Sequence, residues 1–419
     1  MNESEAQSYL IAHGLMPITD QYGQELFLRR AKEGDLKAVQ AYIAIGMPID
    51  VGEESTALIR AVEGRHAELL RWLIEAGANL EALDDDGDTA LQTAVNWNHP
   101  NMLAILIAVG ANVNCQATNG WTPLTKALSQ GNGSMVRSLV EAGADLSLGG
   151  KSGRPPLWWA IKEGHSVDVL LRAGADPNLR VLESEHPLLV YALYREQSTP
   201  ARLLIEGGAD LNAENRYGWN AWMTATYFEL PELVMLIEER GGSPKRQSEV
   251  RCLLAARNDD ADGMLAAIND GADPNSHDIF GITPLMWAAR KGWLAAAKTL
   301  VEAGADVNAV DEDGWAAISF AATNGHEALV DWLLDQGAKV KDGLTLFLHG
   351  VPRTGKLNIV KRLLDAGADP DEQDRFGQPT LLEAVSGEDE EANLALFEML
   401  IEAGADVNVR YSSGATVLL

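Results

Sequence analysis

One dipeptide recurs at nearly constant spacing along this 419-residue chain. Gly-Ala begins at Gly77, Gly110, Gly143, Gly174, Gly208, Gly271, Gly304, Gly337, Gly367 and Gly404. Gly46 and Gly241 hold the same frame without the alanine. Successive intervals are 31, 33, 33, 31, 34, 33, 30, 33, 33, 30 and 37 residues. A period near 33 means that each unit is one supersecondary element. Such an element cannot bury its apolar face alone, so neighbours must stack to make a core.

The units share an inner grammar. Twelve residues after most of these glycines comes a Thr-Pro-Leu-like triplet: Thr89-Ala90-Leu91, Thr122-Pro123-Leu124, Pro155-Pro156-Leu157, His186-Pro187-Leu188 and Thr283-Pro284-Leu285. Threonine suits a helix N-cap, and proline at the first helical position gives up no hydrogen bond. A short apolar run follows, then a Gly-His turn (Gly164-His165, Gly325-His326) or a variant such as Asn98-His99 or Gly292-Trp293. A second helix carries apolar residues at helical spacing, as in Ala328, Leu329, Trp332 and Leu333. It ends at the next glycine, where a left-handed C-cap costs least.

These features resemble the ankyrin repeat family. The stretch Gly271–Asn308 carries Gly-Ala-Asp-Pro-Asn, Phe280-Gly281-Ile282-Thr283-Pro284-Leu285, Gly292, and Leu300 through Asn308. The resemblance covers residues 24–419 and implies a stand-alone chain of the bacterial kind. It implies an all-α ankyrin-repeat solenoid of stacked antiparallel helix pairs with projecting β-hairpin-like finger loops. Twelve pairs are expected, near 24–45, 56–76, 89–109, 122–142, 155–173, 186–207, 220–240, 247–270, 283–303, 316–336, 346–366 and 379–403. The expected organisation is a capping extension over 1–23, repeats 1–7 over 24–240, a shortened loop and kink at 241–247, and repeats 8–12 plus the start of a thirteenth over 248–419. Asn220-Ala221-Trp222 departs from the triplet, and Gly241 through Arg246 lacks it. A second shortened loop is expected at Lys339–Asp342, and Gly414 through Leu419 opens a unit that stops.

Composition narrows the function classes. Lys plus Arg is 33 and Asp plus Glu is 61, a net charge of −28. That balance argues against nucleic acid and anionic membrane surfaces and for a basic partner. Cys115 and Cys252 are too few for a disulfide framework or a zinc site and fit a reducing compartment. The acidic start Met1-Asn2-Glu3-Ser4-Glu5 is unlike a secretory signal. The longest apolar run, Met102–Val109, is eight residues, too short to span a bilayer. A cytoplasmic location and a monomer when free are the expectations.

Sites for chemistry are weak. No His-x-x-x-His or Cys-x-x-Cys occurs, so no metal site is expected. His66, His99, His165 and His326 fall in the turn where the family resemblance implies a hydrogen bond to backbone. His13 and His349 have no identifiable partner. Gly350 through Lys356 matches part of a phosphate-binding loop, but Leu357 replaces the hydroxyl residue and the segment falls on a repeat turn. Neither catalytic residues, a cofactor nor a small-molecule substrate is expected.

Surface features point to protein binding instead. Acids cluster at Asp84-Asp85-Asp86 with Asp88, Asp311-Glu312-Asp313, Asp371-Glu372 with Asp374, and Glu388 through Glu391. The first three lie on loop tips, either simply solvated or touching a partner. Residues 51–100 carry ten acids and three bases, 301–419 carry 22 and eight, and 101–200 carry eight of each. If the stack curves, both acidic zones face one basic partner. Trp121, Trp219 and Trp315 follow the loop glycine, and Tyr217, Phe280 and Phe376 precede it. Such aromatics serve either packing between neighbouring loops or docking, since aromatic anchors dominate interface hot spots. Trp159, Trp222 and Trp287, with Trp72 and Trp332, read as core. The candidate partner-binding set is Asp84, Asp86, Trp121, Tyr217, Trp219, Phe280, Asp311, Asp313, Trp315 and Phe376. The expected function is a non-enzymatic interaction module, an adaptor or scaffold, using the loops and concave face. Alternatives are an immunity-type inhibitor occluding a basic toxin or nuclease, and a host-directed secreted effector.

Overall fold

The computed structural model describes residues 1–52, 54–150, 153–181, 185–340, 357–373, 379–383 and 390–408. The chain divides into two compact units. One is Met1–Ala213 with Met235–Arg240, and the other is Glu214–Val234 with Gly241–Leu419.

Each unit is a stack of helix pairs. Typical pairs are Ala90–Asn96 with Pro100–Ala108 in the first unit and Pro284–Lys291 with Leu294–Glu302 in the second. First helices neighbour first helices and second helices neighbour second helices. The side chains explain the arrangement. First helices bury small residues, Ala90 and Ala94 or Ala288 and Ala289, so that neighbours approach closely. Second helices bury a branched stripe, Leu69, Leu70 and Leu73 or Leu329, Val330 and Leu333. Full burial of such a side chain is worth about 1.5–3 kcal/mol. At the N-terminus, the helix Glu3–Ala12 lies beside Leu36–Ala44 and buries Ala6 and Leu10.

The triplet threonines are N-caps. Thr89 Oγ1 accepts from Gln92 N–H at 3.3 Å, and Thr283 Oγ1 accepts from Met286 N–H at 3.3 Å. Asn220, out of pattern in sequence, does the same for Met223 N–H at 3.0 Å. Helix Gln247–Arg257, which follows the segment without a triplet, starts at left-handed Arg246 with no side-chain cap. At the other end, Gly304 takes φ 97°, a conformation that would strain any residue with a Cβ.

Two side-chain ladders tie pair to pair. In the Asp-x-Asn motif the aspartate accepts from the N–H two residues on, as Asp306 does from Asn308 at 2.9 Å. The asparagine then reaches the next unit: Asn275 Oδ1 accepts from Asp306 N–H at 2.7 Å, and its Nδ2 donates to Gly304 O at 2.9 Å. At the helix turns, His66 donates to Lys32 O at 2.9 Å, His99 to Val62 O at 2.9 Å, His165 to Leu128 O at 3.0 Å and His326 to Arg290 O at 3.2 Å. Gln130 donates to Asn96 O at 3.1 Å and Arg257 to Tyr227 O at 2.6 Å in the same role. Each bond satisfies a carbonyl that a helix C-terminus leaves open.

One expectation is corrected. Projecting β-hairpin-like finger loops do not form: among the described residues there is no strand, and isolated bridges link Arg180 to Pro187, Val310 to Ala316 and Gln373 to Pro379. Two consecutive turns fill the loops after Gly77, Gly110, Gly208, Gly271 and Gly304 and leave no extended run to pair. In the loop after Gly77, Ala82 N–H bonds Asn79 O at 3.3 Å, and Asp84 N–H bonds Asp88 O at 3.0 Å.

Candidate protein-interaction surface

The loop acids are first of all turn formers. Asp84 Oδ1 accepts from Asp86 N–H at 3.1 Å and Asp88 N–H at 2.8 Å. Asn215, Asp278 and Asp311 occupy the same repeat position and repeat the pattern. Asp311 Oδ1 accepts from Asp313 N–H at 3.0 Å and Trp315 N–H at 2.8 Å. A short polar side chain folded onto its own backbone fixes the turn. Burial pushes the Asp84 and Asp311 carboxyls up, against the pull of these N–H donors. Asp84 and Asp311 are half-buried, whereas Asp86 and Asp313 are exposed.

In the second unit, three loops lie side by side. They carry Tyr217, Phe280 and Trp315, all half-buried. The shortened segment after Gly241 contributes no loop of this kind, so the loop at Asn215–Trp219 packs directly on the one at Asp278–Ile282. Tyr217 meets His277 edge to face at 5.0 Å, and its hydroxyl would lie 3.2 Å from a Cβ placed at Gly281. Arg216 stacks over Tyr217 at 4.8 Å and forms an ion pair with Glu312. Trp315 sits 5.3 Å from Phe320. Burial raises Glu312, and Arg216 pulls it back.

Trp219 stands apart from this row. It is 0% exposed and offers a partner no surface. Its indole N–H donates to His277 O at 2.8 Å, and its ring meets Tyr227 edge to face at 5.3 Å. Beneath it, Asp278 is fully buried and accepts from Phe280 N–H at 2.9 Å, Ile282 N–H at 3.0 Å and Tyr227 Oη–H at 3.0 Å. Burial pushes the Asp278 carboxyl up to about 6 against these donors. Burial also raises Tyr227, with the Asp278 charge second. Burial lowers His277, with the Arg246 charge adding to it.

In the first unit, half-buried Trp121 lies 4.7 Å from the Trp159 ring, with Lys126 Nζ 5.6 Å above it. Trp159 meets Trp158 at 5.0 Å, and Arg154 stacks on Trp158 at 4.2 Å. Gln92 fixes the Trp121 backbone by donating to its carbonyl at 3.3 Å.

Trp159, Trp222 and Trp287 are buried, but Trp72 and Trp332 are half-buried. Phe376, Asp374, His349, Gly350 through Lys356, Glu388-Asp389, Tyr411 and the segment from Gly414 lie outside the described residues. The sequence reading passes over Asp278, Tyr227 and Lys126. Asp278 was detectable, because it shares a repeat column with Asp84, Asn215 and Asp311. Among the described residues, no cluster of His, Cys, Asp and Glu can hold a metal, and no helix is long and apolar enough to cross a membrane. Burial raises the Cys115 thiol to about 11 and the Cys252 thiol to about 12.

A helical stack with capped triplets, histidine turns and an asparagine ladder defines a class of repeat scaffold. Residues 27–117, 102–181 and 252–343 match the family described as ankyrin repeats (3 copies), and 348–392 match ankyrin repeats (many copies). The first three stretches cover more than half of the chain, which belongs to the ankyrin-repeat family. One similar solved structure is the crystal structure of the ankyrin repeat domain of Bcl-3, titled a unique member of the IkappaB protein family. It shares 26% identity over 51% of this chain and 97% of its own, at a TM-score of 0.45. No curated protein matches the chain. The fold is consistent with a non-enzymatic protein–protein interaction module.

Proposed function

We propose that this chain docks a partner protein with a basic surface, as an adaptor or assembly scaffold, through its inter-pair loops and the adjoining first helices. The observation that carries the reading is a pattern shared by two loops. Leu83 and Val310 occupy the same repeat position and are 56% and 59% exposed. Each is followed by acids, Asp84-Asp85-Asp86 and Asp311-Glu312-Asp313. An exposed apolar side chain beside solvated carboxylates suits a surface that mixes basic and apolar groups, with charge steering the encounter and apolar contact slowing escape. Half-buried Trp121 and Trp315, Tyr217 and Phe280 supply aromatic edges near these loops. The net charge of −28 keeps copies apart and supports a free monomer. The two thiols support a cytoplasmic setting.

The test is capture from extract of the native cell on immobilised protein. Wild type is compared with Leu83→Ser/Asp86→Asn and with Val310→Ser/Asp313→Asn, each first shown to be helical and cooperatively folded. A protein bearing a basic surface that binds wild type and is lost from at least one folded double variant supports the reading. Equal capture by all three assigns docking to another face.

A further inference from the structure

Resting on the basic-partner reading, a small cleft in the first unit has the makings of a side-chain pocket. Its volume is about 50 Å³, room for one small group, and its walls include Asp88, Val95, Asn96, Trp121, Pro123 and Lys126. Asp88 and Trp121 occupy the same column of successive repeats, each directly after a loop glycine, so the stack sets a carboxylate beside an indole. Asp88 is 8% exposed. Its Oδ2 accepts from Asn96 Nδ2 at 2.6 Å, a neutral partner, and no described Lys or Arg forms an ion pair with it. Trp121 is half-buried, and the group over its ring is the Lys126 ammonium at 5.6 Å, whose charge also acts on Asp88.

We propose that this cleft receives an arginine side chain of the partner, with the guanidinium stacked on Trp121 and donating to Asp88. A planar guanidinium matches both walls better than an ammonium, since it stacks on aromatic faces and donates to a carboxylate through two parallel N–H groups. Lys126 is the internal occupant that the incoming arginine displaces from the ring. Its long, flexible stem permits that movement. Burial, with the charges of Asp84 and Asp86, raises the Asp88 carboxyl to about 6, against the pull of the Asn96 amide and the Lys126 charge. The exposed acids Asp85 and Asp86 lie at the adjoining loop and favour approach of a positive group.

The test uses N-acetyl-arginine N-methylamide, its neutral norleucine counterpart, and the basic peptide acetyl-(Arg-Gly)5-amide, followed by NMR of the intact protein. The Trp121 indole N–H resonance is expected to shift with the arginine amide and not with the norleucine amide. Asp88→Asn, which keeps the Asn96 contact, weakens the response at least about tenfold. Trp121→Leu weakens it as well, and Lys126→Met strengthens it by removing the competing cation. If the arginine amide leaves Trp121 unmoved while the peptide shifts the Leu83–Asp86 loop, the pocket is refuted and the acidic-loop reading stands. If neither probe shifts either region, both fail. A weaker response in Lys126→Met also overturns the proposal.

Discussion

The indole N–H of Trp219 donates to the carbonyl of His277 at 2.8 Å, joining loops 58 residues apart. A regular period would place the neighbouring loop about half that distance away in sequence. The segment after Gly241 provides no such loop, and Trp219 spans the place it would fill. Trp219→Ala should therefore lower stability by about 3–5 kcal/mol, the cost of a large buried cavity. Trp219→Phe keeps most of the packing and should cost less. Urea midpoints by circular dichroism check this, and an unchanged midpoint in the alanine variant contradicts the assignment of Trp219 to the core.

Asp278 gives a pH dependence of known sign. Its carboxyl titrates near 6 in the fold, against an ordinary value near 3.9 when unfolded. The folded state thus binds the extra proton between roughly pH 4 and 6, and stability falls as pH rises through that window, by at most about 1.4 kcal/mol per pH unit. Asp278→Asn should remove that slope, since Asn215 already serves the same turn with an amide. Unfolding free energies from pH 4 to 7 are the measurement. A gap between variant and wild type that fails to widen in favour of the variant with rising pH counts against it.

His99 acts in the opposite direction. It is buried, donates through Nδ1 to Val62 O at 2.9 Å, and accepts at Nε2 from Arg65 at 2.7 Å, so it is held neutral. Burial lowers its pKa, and the Arg65 charge adds to that. The unfolded chain then takes up the proton first, and stability is lost as pH falls below about 6.5. His99→Gln should flatten this part of the curve, because Gln130 fills the equivalent role. The same acid titration series tests it, and an unaltered slope below pH 6.5 would refute it.

Asn275→Ala removes two bonds between successive units, to Asp306 N–H and Gly304 O. On this exposed ladder the expected loss is about 1–2 kcal/mol. Hydrogen exchange at Asp306 should rise at the same time. An Asp306 amide that stays as protected as in wild type would show the ladder to be ornamental.

The legible part of this protein was periodic. Thr89, Thr122 and Thr283 announce helix starts, and Gly77 or Gly304 announce helix ends, because caps are local and independent of partners. The histidine turns were equally readable. The illegible part depends on what a missing element lets meet. Trp219 shares its column with Trp121 and Trp315, so nothing local distinguishes a buried tryptophan from two half-buried ones. The missing loop decides it. The hairpin expectation failed for a related reason: Asp84 and Asp311 read as surface charge, yet each folds one carboxylate oxygen onto its own turn and closes the loop before a strand can extend.

The most direct test of the central claim is the association rate with the captured partner, measured from 20 to 500 mM salt by stopped flow. Steering by the acidic loops predicts a rate that falls steeply with ionic strength and a shallower fall in Asp86→Asn/Asp313→Asn, with both proteins equally folded. A rate that ignores salt, or a salt response unchanged by removing those charges, would contradict the account.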